Sequence, residues 1–123
     1  VGRFGSGYVM GGRANDPEWV RGIMIRVKEA WSVHERTGAP RFVATLPCTF
    51  GLNAHQEIEE TVAHYYGGRF SRKDTPQELS NPTSVEAVRE MVAMHSELGT
   101  DEIIFRPVKL GVDQINLLAE AIT

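Results

Sequence analysis

The stretch "IIFRPVKLGVDQINLLAEAI", from Ile103 to Ile122, has the pattern of one strand followed by one helix. The apolar residues 103–105 predict a short strand that is covered on both faces, and residues 106–111 predict a turn. An amphipathic helix that is capped by Asp113 follows. A strand and a helix in this order make up half of a parallel βαβ unit, so we expect further repeats upstream.

A similar repeat lies near the start of the chain. The string "GYVMGG", at residues 7–12, predicts a buried strand that ends in a turn of positive φ. Asp16 is the N-cap of a predicted helix with Pro17 at its first position, and apolar residues recur at three- and four-residue spacing until Gly38. This part of the chain therefore predicts a strand near residues 7–10 and a long helix after it.

The middle of the chain predicts a second strand and two helices. The string "PRFVATLPCTFG" predicts a strand at 41–46 that Pro47 ends, because proline cannot donate to a central ladder. Asn53 and Gln56 have the spacing of a capping box at the start of one predicted helix, which Gly67 ends. Thr83 and Glu86 have the same spacing at the start of the next, which Gly99 ends. Residues 67–82 predict an irregular loop, with one helical turn near Pro76 to Leu79.

These repeats predict an α/β fold with three parallel strands, near 7–10, 41–46 and 102–105, and about four helices. The strands are expected side by side in chain order. A complete (β/α)8 barrel needs about 250 residues, so this chain could supply roughly three of its eight strands. The exposed edges of a three-stranded sheet would then need a partner or a cover.

Composition excludes several classes of protein. The chain has 123 residues, a formal net charge of −3 and scattered basic residues, which argues against a nucleic-acid partner. No apolar run reaches the roughly 18 residues of a membrane span, and one cysteine fits a reducing compartment, so we expect a cytoplasmic protein with no membrane partner. Because the chain begins at Val1 within what looks like an element, we expect that an upstream portion precedes it.

Metal, phosphate-loop and serine-hydrolase sites lack their usual signals. His55 and His64 are nine residues apart on one predicted helix, which places them about 180° apart, so we expect no metal site. Glu57, Glu59 and Glu60 suit the first turns of a helix, where the macrodipole favours negative charge. The glycine-rich nucleotide motifs and the G-x-S-x-G elbow do not occur in the sequence.

Three strings together resemble a known family: "GRFGSGYVMGGRANDPEWV", "GAPRFVATLPCTFG" and "LGTDEIIFRPVKLGVDQINLLAEAI". Their order and spacing are similar to the C-terminal part of the luciferase-like monooxygenase family, which are flavin- or deazaflavin F420-dependent oxidoreductases built on a (β/α)8 TIM barrel. Ser6 stands where an acidic residue is commoner in that family. The resemblance implies that the chain is the C-terminal portion of such a barrel, with FMN or F420 as cofactor and a small-molecule substrate.

The resemblance also implies where a site would lie, since barrel enzymes bind ligands at the carboxyl ends of their strands. That rule selects Gly11, Gly12, Arg13 and Arg106 as cofactor-binding residues and assigns no catalytic residue. Pro47, Cys48, Thr49 and Pro107 lie at the same ends. Structural alternatives stay open: the glycines form only a tight turn, Arg106 pairs with a carboxylate at the rim, and Cys48 is a small buried apolar residue.

Two functions from different classes follow. The first is the C-terminal part of a luciferase-like oxidoreductase or monooxygenase, in which the protein orients the cofactor and excludes water. The second is a non-catalytic truncated barrel that acts as an interaction or assembly module through its strand edges. The partner of the sheet would be the missing N-terminal barrel half or another copy in a homo-oligomer. We expect the isolated chain to bind neither FMN nor F420.

Overall fold

The computed structural model describes residues 2–67 and 81–123. The helical turn that we predicted near Pro76 to Leu79 lies outside these residues. In the described ranges the elements follow in this order: β1 (Gly7–Met10), α1 (Pro17–Val33), β2 (Arg41–Cys48), α2 (Ala54–Tyr66), α3 (Val85–Leu98), β3 (Glu102–Pro107) and α4 (Val112–Ile122).

The three strands form one parallel sheet in the order β1-β2-β3. The register between the first two runs from Gly7 opposite Arg41 to Met10 opposite Ala44. Gly7 permits this close pairing, since a Cβ atom there would collide with the Arg41 carbonyl. The predicted α/β class, with three parallel strands in chain order, is confirmed.

The chain divides into two compact units, and the division falls within β2 and β3. Unit 1 comprises residues 1–46 and 93–104, and unit 2 comprises residues 47–92 and 105–123. In unit 1 one side of each strand is buried, as the alternation of Phe42, Ala44 and Leu46 shows. The helix α1 lies on this side, since the ammonium of Lys28 lies 5.9 Å from the centre of the Phe42 ring. Its buried residues are Val20, Met24, Val27 and Trp31.

Unit 2 has an apolar core of its own. Phe50, Val88 and Ala121 are its buried centre, and partly buried residues pack against it: Val85, Val92, Phe105, Leu117 and Leu118. The core therefore joins the loop after β2 to one side of β3 and to the apolar stripes of α3 and α4. On α3 these apolar residues recur at the three- and four-residue spacing of one helix face.

Two prolines lie inside strands where the sequence predicted that strands end. We expected β2 to end before Pro47 and β3 at Phe105; both predictions are wrong, since β2 runs to Cys48 and β3 to Pro107. The register that pairs β1 with β2 ends at Ala44. The missing N–H of Pro47 therefore removes no hydrogen bond from that pairing.

Pro107 is accommodated by a shift of one residue. The N–H of Asp101 donates to the Phe42 carbonyl at 2.9 Å. In a regular parallel ladder such bonds recur every two residues along both strands, so the N–H of residue 107 would donate to the Cys48 carbonyl. Because Pro107 has no N–H, the N–H of Val108 donates to the Cys48 carbonyl instead, at 2.9 Å. The turn that was predicted from Arg106 therefore begins after Pro107.

The first helix ends earlier than predicted. We expected Gly38 to end α1, but its last residue is Val33. The guanidinium of Arg36 stacks on the Trp31 ring at 3.7 Å and donates to the Gly5 carbonyl, which draws the chain back along the helix. Glu35 takes a positive φ of 50° in this turn, a conformation that sequence pattern does not predict for glutamate.

Three predicted side-chain caps are not formed. Asn53 makes no side-chain cap, because its backbone is not extended, and Gln56 donates to Glu60 at 2.8 Å instead. Ser84, rather than Thr83, caps α3 by accepting from the Ala87 N–H at 3.1 Å. Gly111 precedes α4, so Asp113 lies inside its first turn rather than at its cap. The predicted glycine ends at Gly67 and Gly99 are confirmed by positive φ values.

The prediction that β3 is covered on both faces is wrong within the described residues. Ile103 and Phe105 are half-buried, but Ile104 between them is 43% exposed. Its strand neighbours on the same side, Glu102 and Arg106, are also exposed. Helices therefore cover one side of β3, and the other side lacks a cover in the described part of the chain.

Asp101 links the start of β3 to β2, since its carboxylate accepts from the Phe42 N–H at 2.7 Å. We predict that Asp101→Ala lowers the free energy of unfolding by about 1 kcal/mol, measured in urea, because this hydrogen bond is lost. Asp101→Asn keeps an acceptor oxygen and should lose less. Glu102→Ala is the matched control: it removes an exposed ion pair with Arg41 and should cost at most about 0.5 kcal/mol. A larger loss from Glu102→Ala than from Asp101→Ala would contradict this assignment.

Candidate functional site

The carboxyl end of β1 leads into a short loop that contains three of the four predicted cofactor-binding residues. Gly11, Gly12 and Arg13 lie together in this loop, in unit 1. Its backbone is tightly turned: the Arg13 N–H donates to the Gly11 carbonyl at 2.7 Å, and the Asp16 N–H donates to the Arg13 carbonyl at 3.0 Å. We call residues 11–16 the β1–α1 loop.

Gly12 is an exposed residue of the β1–α1 loop. It takes a φ of +70°, and a Cβ atom there would meet nothing within 4 Å. The glycine is therefore required by its backbone conformation and not by crowding. In contrast, a Cβ on Gly11 would lie 3.4 Å from the Thr45 hydroxyl. The tight-turn alternative thus accounts for Gly12, while the exposed backbone there is open to a ligand.

Arg13 is paired with a residue of its own loop. Its guanidinium lies 2.7 Å from the Asp16 carboxylate, whose other oxygen accepts from the N–H groups of Glu18 and Trp19. Burial by itself raises the pKa of Asp16, but these hydrogen bonds and the Arg13 charge outweigh it, so the pKa lies below its ordinary value. A phosphate that binds Arg13 would have to compete with this carboxylate.

His95 holds the base of the same loop. It is fully buried on α3, in unit 1; its Nε2 lies 2.8 Å from the Ala14 carbonyl, and its Nδ1 lies 2.8 Å from the Thr100 hydroxyl. A carbonyl can only accept, so Nε2 carries the proton in the neutral ring and Nδ1 accepts from Thr100. Burial lowers the pKa of His95, and the hydrogen bond to Ala14 opposes this effect in part.

The carboxyl end of β2, in unit 2, carries Cys48 and Thr49, both fully buried. Burial raises the pKa of the Cys48 thiol to about 11, so this group is a thiol at neutral pH and a poor nucleophile. The alternative reading of Cys48 as a small buried apolar residue agrees with this environment. Pro47 and Pro107 lie within β2 and β3.

Gln114 clamps the loop that follows β2. Its side-chain oxygen accepts from the Phe50 N–H at 2.9 Å, and its amide nitrogen donates to the Phe50 carbonyl at 3.2 Å. The Thr49 hydroxyl lies 3.2 Å from the same oxygen, and the Asp113 carboxylate accepts from the amide at 3.2 Å. The "D-Q" at the start of α4 thus has a structural role: it fixes the strand end where a barrel enzyme would bind ligand.

Two charged residues flank this clamp in unit 2. Lys109 lies 3.3 Å from the Glu57 carboxylate, whose other oxygen lies 3.4 Å from the Thr49 hydroxyl. Both charged side chains are partly exposed, so the pair contributes little to stability. The helix α2 therefore presents an acidic residue beside the buried end of β2.

Arg106 lies on β3 in unit 2 and is exposed. Within the described residues its side chain has no ion-pair or hydrogen-bond partner, in contrast to Arg13, Arg36 and Arg41. The alternative in which Arg106 pairs with a carboxylate is therefore not seen in the described part of the chain. An unpartnered guanidinium can bind a phosphate or carboxylate through two parallel hydrogen bonds.

The uncovered side of the sheet in unit 1 is rich in β-branched residues. Val9 is 63% exposed and Ile104 43% exposed, and Val43 and Thr45 are half-buried on the strand between them. The ion pair of Arg41 and Glu102 lies at the amino-terminal end of this side. Strand alternation places Arg106, two residues after Ile104, on the same side of β3.

His95 and Gln114, which hold the loops after β1 and β2, are not among the residues that the sequence pattern selected for a site. Gln114 had a weak signal, a glutamine in the first turn of a helix. His95 had none beyond its place on the apolar stripe of α3. In both cases the partner is a backbone carbonyl or N–H that is distant in sequence, so pattern cannot reveal the contact.

The described residues contain no cluster of three His, Cys, Asp or Glu side chains placed to hold a metal ion. Across residues 2–67 and 81–123, every helix is too short or too polar to cross a membrane. A comparison with protein-family models finds no match, and a comparison with curated proteins finds none either. Gly11, Gly12, Arg13 and Arg106 therefore stay predictions as cofactor-binding residues.

We predict that Gln114→Leu lowers the free energy of unfolding by about 1 to 3 kcal/mol, because the buried N–H and C=O of Phe50 lose their partners. Gln56→Leu is the matched control, since Gln56 bonds only an exposed glutamate side chain in the described structure and should change stability by less than about 0.5 kcal/mol. Urea unfolding of both variants checks this. Equal losses would show that Gln114 is not a clamp.

We predict that stability falls with acid through His95. The folded-state pKa lies below the unfolded value near 6.5, so stability is complete above about pH 6.5 and declines as the pH falls below it, where the unfolded chain takes up the proton first. His95→Gln should remove this part of the decline in urea unfolding between pH 7.5 and pH 5. His34→Gln, at an exposed position, should keep it. An unchanged decline in His95→Gln would contradict the prediction.

Proposed function

We propose that this chain is the C-terminal part of a luciferase-like oxidoreductase or monooxygenase that uses FMN or F420, and that its sheet is a portion of a (β/α)8 barrel. The proposal combines the resemblance in sequence with one observation, the strand order β1-β2-β3. Parallel strands joined in one direction by right-handed connections have all their helices on one side. A doubly wound sheet reverses direction and has helices on both sides.

The uncovered side of the sheet supports the barrel. Parallel sheets are covered on both faces in stable folds, so the side that carries Val9, Val43 and Ile104 needs a cover. In a barrel this side becomes the interior, which branched residues such as valine and isoleucine fill in layers. The remaining strands would come from a preceding part of the same polypeptide or from another subunit.

Arg106 gains its role from this arrangement. It lies near the carboxyl end of β3 and on the side of that strand that would face the barrel interior. Ligands of barrel enzymes bind at that end. In the proposed enzyme the Arg106 guanidinium binds the cofactor phosphate or an acidic substrate group. The cofactor supplies the redox chemistry, and the chain orients it through Arg106.

The experiment that tests the proposal is a titration of FMN and of F420 against the full-length protein that contains this chain, followed by cofactor fluorescence. Saturable one-site binding of one of them is expected, and the 123-residue chain alone should show none. The assembly module is favoured instead if the full-length protein binds neither cofactor and forms a stable colourless oligomer. That result would overturn the proposed function.

We predict that Arg106→Ala in the full-length protein weakens cofactor binding or lowers kcat/KM by at least about tenfold, which corresponds to about 1.4 kcal/mol. The melting temperature should change little, because the side chain is exposed. Arg41→Ala is the matched control, because Arg41 is an exposed arginine at the opposite end of the strands. This substitution should leave cofactor binding and kcat/KM unchanged. Equal effects of the two substitutions would return Arg106 to a purely structural role.

A further inference from the structure

The β1–α1 loop has an accessible half and a buried half. Gly12 and Arg13 are exposed, whereas Ala14, Asn15 and Asp16 are buried. Asp16 and the Ala14 carbonyl both hold this buried half in place. Asp16 caps α1 through the N–H groups of Glu18 and Trp19, and the Ala14 carbonyl bonds to His95. The accessible half therefore rests on a base that two side chains fix.

The two anchors differ in their connection to the chain. Asp16 bonds to residues two and three positions away, so it fixes the loop to the start of its own helix. His95 is 81 residues from Ala14 and lies on α3, so it fixes the loop to a separate element of unit 1. Loss of Asp16 would weaken α1, whereas loss of His95 would free the loop from α3.

The ring of His95 is itself held in one orientation. The Thr100 hydroxyl lies 2.8 Å from Nδ1, and the Thr100 N–H donates to the His95 carbonyl at 3.0 Å. Gly99, with a φ of +85°, turns the chain so that Thr100 can reach back to the helix. This turn fixes the tautomer with the proton on Nε2, which the Ala14 carbonyl requires.

We propose that His95 is the positioning residue that holds the β1–α1 loop in one conformation and so presents the exposed Gly12 backbone to a ligand. The effect of His95 on the loop is independent of any ligand. That the ligand is the phosphate of FMN or F420 rests on the proposed function. A core histidine that only fills space would have no specific effect on the loop.

Hydrogen exchange of the full-length protein tests the loop. In His95→Leu the amides of Arg13 and Asp16, both hydrogen-bonded within the loop, should exchange at least about tenfold faster. The Val27 amide in the middle of α1 should change much less. Met24→Ala is the matched control: it removes a buried side chain of α1 without touching the anchor, so the loop and helix amides should change together. A uniform change in His95→Leu, like that in Met24→Ala, would overturn the proposal.

His95→Gln provides the rescue. Glutamine carries an N–H at the same number of bonds from the backbone as the Nε2 of histidine, so it can donate to the Ala14 carbonyl. Exchange of the Arg13 and Asp16 amides should return to within about threefold of the wild-type rate, whereas exchange as fast as in His95→Leu would count against the proposal.

The ring tautomer gives a measurement that needs no folded variant. Nitrogen-15 chemical shifts of the wild-type protein should show a neutral His95 with its proton on Nε2. A proton on Nδ1 would overturn the proposal.

Titration of FMN and F420 against wild type and His95→Leu then tests whether the loop contributes to cofactor binding. The exchange data decide whether His95 holds the loop, and the titration of the wild-type protein decides whether the proposed function is right. One of these can therefore fail while the other holds, and the two results are distinguishable.

Discussion

Hydrogen bonding along both edges of β2 is the interaction on which the rest of the structure depends. This strand pairs with β1 on one edge and β3 on the other, and its alternate residues Phe42, Ala44, Leu46 and Cys48 are buried. The carboxyl end of the strand lies in a different unit from its start. Residues 41–46 of β2 belong to unit 1, and Pro47 and Cys48 belong to unit 2.

The hydrogen bonding along the edges of β2 also explains how two prolines fit inside strands. A ladder tolerates proline only where its missing N–H has no partner to lose. Pro47 lies beyond the register of β1, and Pro107 is bypassed because the next N–H along β3 reaches Cys48. The pairing continues past both residues, and as a result Arg106 belongs to a strand whose geometry fixes its side.

Buried polar side chains hold the loops at the carboxyl ends of the strands. His95 bonds the loop after β1, and Gln114 bonds the loop after β2, in each case through backbone groups. A buried backbone group that lacks a partner is costly, so these contacts favour one position of each loop. They join the loops after β1 and β2 to the helices α3 and α4.

The sequence by itself determined the elements and their order. Apolar periodicity and the glycines at residues 67 and 99 predicted the α/β class and two helix ends, because these signals act within one or two turns of the chain. The tertiary structure alone decided the caps at Ser84 and Gly111, the early end of α1 at Val33, and the anchors His95 and Gln114. Local pattern cannot predict these features, since several groups can satisfy one orphan N–H or carbonyl, and which of them comes within bonding distance depends on packing between segments distant in sequence.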